Sequence, residues 1–202
     1  MQVIVATGNK GKLREFARIF APLGIEAVAQ GDVCPTLKVE ETGTTFAENA
    51  YLKAEAVHRL TGRAAVADDS GLCIDALDGR PGVYSARYAG EETPYPVKIA
   101  RLLAEMERVP EGGRSARFVA HICYIGEDGH RIDVEECCEG EIGYAPRGER
   151  GFGFDPIFLV GERTFSELPD GEKDKISHRG KALRELARRL EQRHLDKTND
   201  MK

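Results

Sequence analysis

The feature that most constrains this chain is a short apolar run that ends in acid. Ala64, Ala65, Val66 and Ala67 lead directly into Asp68, Asp69, Ser70 and Gly71. A run this short, closed by polar and glycine residues, predicts a buried strand, and open α/β sheets place ligands at the carboxyl ends of their strands. Two neighbouring carboxylates at such an end repel each other. Keeping both ionised calls for a cation or basic side chains close by.

The flanking segments agree with that class. Residues 3–6 read as a strand, followed by the polar turn Thr7-Gly8-Asn9-Lys10-Gly11-Lys12 and a helix with Leu13, Phe16, Ala17 and Phe20 on one face. Pro22 and Gly24 close that helix, and residues 25–29 read as a second strand. Thr45 and Glu48 have capping-box spacing, and the helix they open turns Ala47, Ala50, Tyr51, Ala54 and Val57 inward until Gly62. Thr93-Pro94 starts another helix, and residues 116–125 and 131–138 flank a turn as a β-hairpin. Residues 140–153 read as loop and 156–160 as a short strand. Ser177 is placed to cap a last helix with an Ala182, Leu183, Leu186, Ala187 and Leu190 stripe. A mixed α/β fold with a central cleft follows. Residues 1–195 are expected to form a single domain and residues 196–202 a flexible tail.

Composition narrows the function classes. With 41% hydrophobic and 31% charged residues, the 202-residue chain has the balance of a soluble globular protein. No apolar run approaches the roughly 20 residues of a membrane span, and Met1 to Val5 lacks a basic leader region, so a cytoplasmic place is expected. A net charge of −5 argues against a general nucleic-acid binder. The five cysteines, Cys34, Cys73, Cys123, Cys137 and Cys138, contain no CxxC pair and are expected to be reduced, structural thiols.

Five clusters are candidates for chemistry. The Thr7–Lys12 turn sets two lysines, an asparagine and two glycines before a helix, where backbone N–H groups and the helix dipole favour phosphate. It is not a Walker A loop, since Ala6 and Leu13 stand where that motif needs Gly and Ser or Thr; an ordinary βα turn with solvated lysines reads equally well. Glu40 and Glu41 precede the helix bearing Lys53, and Asp68, Asp69 and Ser70 follow the acidic strand; hard carboxylate ligands of this kind suit Mg²⁺. Gly151-Phe152-Gly153-Phe154-Asp155 joins glycines to aromatics, either to stack a planar base or as a bulged strand start with core rings. Lys173, Lys175, Ser177, His178 and Arg179 gather cations at a helix start, where the dipole disfavours them.

In this order, the blocks Thr7 to Lys12, Glu41 to Ala50, Ala67 to Leu72, Pro81 to Tyr88, Phe152 to Pro156 and Ile176 to Arg179 resemble the inosine triphosphate pyrophosphatase family, closest to its bacterial dITP/XTP branch. The resemblance implies an elongated mixed-sheet α/β fold, with two lobes flanking a central nucleotide-binding cleft, and a homodimer. It also implies hydrolysis of deaminated purine nucleoside triphosphates (dITP, ITP, XTP) to monophosphate and pyrophosphate. Phe154 stands where many members carry Tyr or Trp, and counting back from Phe46 favours Glu41 over Glu40 as the acidic ligand.

On that resemblance Mg²⁺ is held by Glu41 and Asp69, with Asp68 close by, and Asp69 is the general base. Lys12 and Lys53 offset phosphate charge, and Thr7, Gly8, Asn9, Lys10, Gly11 and Ser70 line the phosphate side. Phe152, Gly153, Phe154, Asp155, Lys173, His178 and Arg179 serve the base and its loop, with Arg179, His178 or a backbone N–H donating to the 6-oxo group that distinguishes hypoxanthine from adenine. A broader or different nucleotide diphosphatase, such as one acting on pyrimidine nucleotides, and a non-catalytic nucleotide sensor are the alternatives.

Overall fold

A computed structural model describes residues 1–200, with side chains through Asp196; Met201 and Lys202, at the end of the expected tail, lie outside the described residues. In chain order the elements are β1 (Gln2–Val5), α1 (Lys10–Phe20), β2 (Glu26–Ala29), α2 (Gln30–Val33), α3 (Phe46–Thr61), β3 (Ala65–Ile74) and α4 (Tyr95–Glu105). They continue with β4 (Ser115–Ile125), β5 (Arg131–Ile142), β6 (Phe158–Val160), β7 (Arg163–Thr164), α5 (Asp170–Ile176) and α6 (His178–Asp200).

The strands form one mixed sheet in the order β2-β1-β3-β4-β5-β6-β7. β1 runs parallel to β2, Val3 opposite Ala27, and parallel to β3, Val5 opposite Val66. Parallel neighbours need crossover connections, which α1 and α3 supply. β6 runs antiparallel to β5, Ile142 opposite Phe158, and antiparallel to β7.

Two compact units divide the chain. The first holds Met1–Asp69, His121–Glu136 and Arg179–Lys202; the second holds Ser70–Ala120 and Cys137–His178. Each has its own core. In the first, Ala50, Ala54 and Val57 of α3 pack with Ile4, Ala65, Ala67 and Cys123, small side chains that let helix and strands approach closely. In the second, Leu72, Ile74, Leu102, Met106, Phe154, Phe158 and Phe165 cluster. The helix ends follow their local signals. Thr45 accepts from the Glu48 backbone while Glu48 reaches back, and Gly62 closes α3 at φ 67°.

Several expectations are corrected. The acidic strand does not end at Ala67: β3 continues through Asp68, Asp69, Ser70 and Gly71 to Ile74, because each carboxylate finds cations and the ladder need not break. Gly71 fits there because a Cβ would strike the Gly82 carbonyl. β5 extends to Ile142, through the start of the expected loop, where Glu141 and Ile142 pair with β6. Asp170–Ile176 forms a helix that the apolar periodicity did not reveal, since the segment is almost wholly polar. Asp170 and Glu172 lie in the first turn and Lys173 and Lys175 in the last, matching the helix dipole. Ser177 keeps the place expected of it, extended immediately before α6, and its N–H also closes α5 on the Lys173 carbonyl. α6 is helical as far as Asp200. All five cysteines are free, and among the described residues no helix is long and apolar enough to cross a membrane.

Candidate active site

The turn after β1 is organised by its own side chains. Asn9 Oδ1 accepts from the Gly11 and Lys12 N–H groups at 2.8 and 3.1 Å, and Thr7 Oγ1 accepts from Asn9 N–H at 3.1 Å. Two of the amides expected to face phosphate are thus taken by the cap. Gly8 and Lys10 are exposed, and Gly11 is buried. Lys12 is the turn residue that reaches the acidic strand. Its Nζ lies 2.7 Å from Asp68 Oδ2 and 3.4 Å from the Asp68 carbonyl.

Lys53, from the middle of α3, meets the same carbonyl at 3.0 Å. It also binds Glu41 Oε1 at 2.7 Å and Asp69 Oδ1 at 3.0 Å. Glu41 rather than the exposed Glu40 therefore stands beside Asp69. Arg179, at the start of α6, closes the group from the opposite end of the chain. Its Nη2 donates to Asp68 Oδ2 at 3.0 Å and its Nη1 to Glu15 Oε2 at 2.5 Å. Arg179 is one of the donors that the family resemblance offers to the 6-oxo group of a base. The structure instead commits its guanidinium to two buried carboxylates.

The strand pleat sends Asp68 and Asp69 to opposite faces, so adjacency in sequence does not make them each other's main neighbour. Burial alone would raise both. At Asp68 the charges of Arg179 and Lys12 outweigh it and hold the carboxyl well below its ordinary range. At Asp69 burial prevails over Lys53 and Lys12, with Glu41 acting in the same direction, and the pKa is raised. Burial also lowers the Lys12 ammonium, against the pull of Asp68, and the like charges of Lys53 and Arg179 add to the effect. Burial opposes the charge on Lys53, but Asp69 and Glu41 overcome it and its pKa rises. Paired carboxylates whose environments drive them apart mark distinct roles: Asp68 is a fixed charge and Asp69 the more basic group.

Among the described residues no group of three or more His, Cys, Asp or Glu gathers as a metal cluster. Glu41 and Asp69 nevertheless converge on one cation, the Lys53 ammonium. That donor set fits Mg²⁺, which takes one or two protein carboxylates and fills its remaining positions with water and phosphate oxygens.

The second unit holds the other candidates. Asp155 Oδ2 accepts from Phe152 N–H at 2.8 Å and pairs with Lys173 Nζ at 2.6 Å, both side chains buried. Asp155 therefore orders the Gly151–Asp155 loop, and Gly151 is needed because a Cβ there would meet the same oxygen. Phe152 is half-buried, with Lys173 Nζ 5.1 Å from its ring centre. Gly153 adopts φ 69°, a left-handed conformation. Phe154 is a core ring, edge-on to Tyr95 at 5.4 Å and Tyr88 at 6.2 Å, not a stacking platform. His178 is buried parallel to Phe118 at 4.8 Å. Lys173, not the exposed Lys175, is the buried lysine of its segment. Ser70 is half-buried within β3. Lys173→Met leaves Asp155 without its cation, and faster amide hydrogen exchange across residues 151–155 is expected; unchanged protection would show that the backbone holds the loop unaided.

A profile described as the Ham1 family matches residues 3–189. The chain belongs to the Ham1 family. It is 49% identical over 193 residues, 95% of each chain, to the dITP/XTP pyrophosphatase of Geobacillus kaustophilus. Against the dITP/XTP pyrophosphatase of Bacillus licheniformis it is 48% identical over 195 residues, 95% of this chain and 98% of that one. The solved Ham1 protein of Staphylococcus aureus superposes with a TM-score of 0.85 at 38% identity, covering 96% of this chain and 100% of that one. The resemblance carried by the sequence motifs is borne out. Two residues of this Ham1-family site escaped the sequence reading. Glu15 is a charge on the buried face of α1, beside Phe16 and Ile19; Asn49 is a carboxamide on the buried face of α3, beside Ala50. A polar residue on an otherwise apolar face is the signal for both.

Proposed function

We propose that this chain hydrolyses deaminated purine nucleoside triphosphates (dITP, ITP and XTP) between the α- and β-phosphates, removing them before they enter DNA or RNA. The observation that carries the reading is the convergence of Lys12 and Lys53 on Asp68, Asp69 and Glu41, in a chain so similar to proteins named dITP/XTP pyrophosphatase. Lys12 and Lys53 supply positive charge where the leaving pyrophosphate gathers negative charge. Asp68 and Arg179 keep Lys12 oriented. Asp69, the more basic carboxylate, takes the proton of the attacking water. Mg²⁺ held by Glu41 and Asp69 would, when bound, neutralise phosphate oxygens and acidify a water.

For the base, Phe152 is the stacking candidate and His178 the side-chain donor to the 6-oxo group, Arg179 being engaged by carboxylates. A donor facing that oxygen is left unmatched opposite adenine, which can discriminate by roughly 10⁴ or more. The homodimer and the cytoplasmic location belong to the same reading. The deciding experiment gives the purified protein Mg²⁺ with ITP, XTP, GTP or ATP and identifies the products. Monophosphate plus pyrophosphate from ITP and XTP, with little turnover of ATP or GTP, is expected. Orthophosphate release, equal use of all four, or binding without turnover would overturn it.

A further inference from the structure

Asn49 is fully buried, yet its neighbours on the inner face of α3 are the apolar Ala50, Ala54 and Val57, so packing does not ask for a carboxamide there. Its two ends go to different places. Oδ1 accepts from Gly43 N–H at 2.8 Å, two residues beyond Glu41, and Nδ2 donates to Asp69 Oδ2 at 3.3 Å. An N–H must meet an acceptor, so the Gly43 bond fixes which end of the amide faces Asp69. Lys53 holds the other Asp69 oxygen at 3.0 Å, and the carboxylate is thereby gripped at both atoms. Gly43 comes this close because it has no side chain: a Cβ would lie 2.6 Å from Glu48 Cβ and 2.7 Å from Asn49 Oδ1. The helix start does not need the contact, since Thr44 and Thr45 already bond Glu48 in the capping box.

From this we infer that Asn49 is a positioning residue, a cross-brace that sets the segment bearing Glu41 against the carboxylate of Asp69 so that the two oxygen donors face one cation. The inference rests on the proposed reading of that pair as a divalent-cation site. Outer partners that orient ligating carboxylates are typically worth 10–100-fold in metal affinity or activity.

The test uses the full chain and Mn²⁺ alone, with unbound Mn²⁺ followed by electron paramagnetic resonance. Asn49→Ala removes both bonds; Asn49→Leu removes them while keeping the side-chain volume, should the alanine variant fold poorly. Val57→Ala, a core truncation on the same helix, controls for loss of stability. Both Asn49 variants are expected to bind Mn²⁺ about 10–100-fold more weakly, with the KM for ITP at saturating metal within about threefold of the parent. Val57→Ala is expected to lower the melting temperature and leave Mn²⁺ binding unchanged. Parent-like Mn²⁺ affinity in folded Asn49→Leu overturns the cross-brace and leaves the proposed function standing. A parent protein that neither binds Mn²⁺ nor hydrolyses ITP overturns the function, and the cross-brace with it.

Discussion

Asp69→Asn is expected to keep its fold and to lose kcat by about 10³-fold or more. A positioned general base contributes roughly 10²–10⁴-fold, and this substitution also removes one of the two carboxylates proposed to hold the metal. Asparagine keeps the shape and one oxygen for Lys53, while its NH₂ faces the Asn49 Nδ2 donor; the loss of that one hydrogen bond costs about 1 kcal/mol, which is why the fold should survive. The raised pKa gives the pH dependence of the parent its sign. Protonated Asp69 can neither accept from water nor hold the metal, so at limiting Mg²⁺ kcat/KM should fall on the acid side at a pH above the ordinary aspartate value of 3.8, and added Mg²⁺ should move that fall downward. Steady-state turnover of ITP and a thermal melt check the two halves together. A kcat near that of the parent removes Asp69 from the chemistry, and a collapsed melt shows that its charge is needed for folding.

Arg179→Met is expected to be the most destabilising single change at this site. The guanidinium is buried between Asp68 and Glu15, and burial disfavours its charge, but the two carboxylates more than compensate and raise its pKa. Removing it leaves Lys12 to hold Asp68 and takes the cation from buried Glu15. Breaking a buried pair in this way costs about 3–5 kcal/mol. For a chain of this size that is a fall in melting temperature of roughly 6–20 °C.

The pH dependence separates this from simple loss of packing. In the parent, Asp68 has a folded pKa below its ordinary 3.8, so its pairing stabilises above that value and is lost as pH falls through the folded one. In Arg179→Met Asp68 loses the largest of the charges that depress its pKa, so its folded value moves back towards 3.8. The folded variant then binds a proton more readily than the folded parent, and its deficit shrinks as pH falls. Urea unfolding at two pH values reads this directly. A deficit independent of pH, or a melting temperature within about 2 °C of the parent, would show that the pair contributes little. The ITP-to-ATP preference is expected to move less than kcat, since the side chain serves the phosphate-side cluster rather than the base.

Much of the framework was legible in the chain itself. Thr45, Glu48 and Gly62 mark the ends of α3 because capping depends on residues three or four positions apart. Apolar spacing located β1, α1, α4 and the stripe of α6, and the ordered motifs identified the family before any coordinate was known. Lys12, Lys53, Glu41, Asp68 and Asp69 were all named from sequence, and the structure brings all five together. Helix α5 was missed because a polar segment carries no periodicity, and the strand through Asp68 and Asp69 was cut short because charge reads as a strand end.

What the sequence determined by itself, then, was the α/β class, the helix caps, the family and the cast of charged residues. The tertiary structure decided which charge meets which. Arg179 and Glu15 lie 164 positions apart, and nothing local to either announces the other. Asp68 and Asp69 are identical side chains one position apart, yet Arg179 and Lys12 hold the pKa of one down while burial raises that of the other. A cap is decided by neighbours within one helical turn. A protonation state is decided by desolvation and by charges that chain closure brings within hydrogen-bonding distance, and these exist only once the chain is folded.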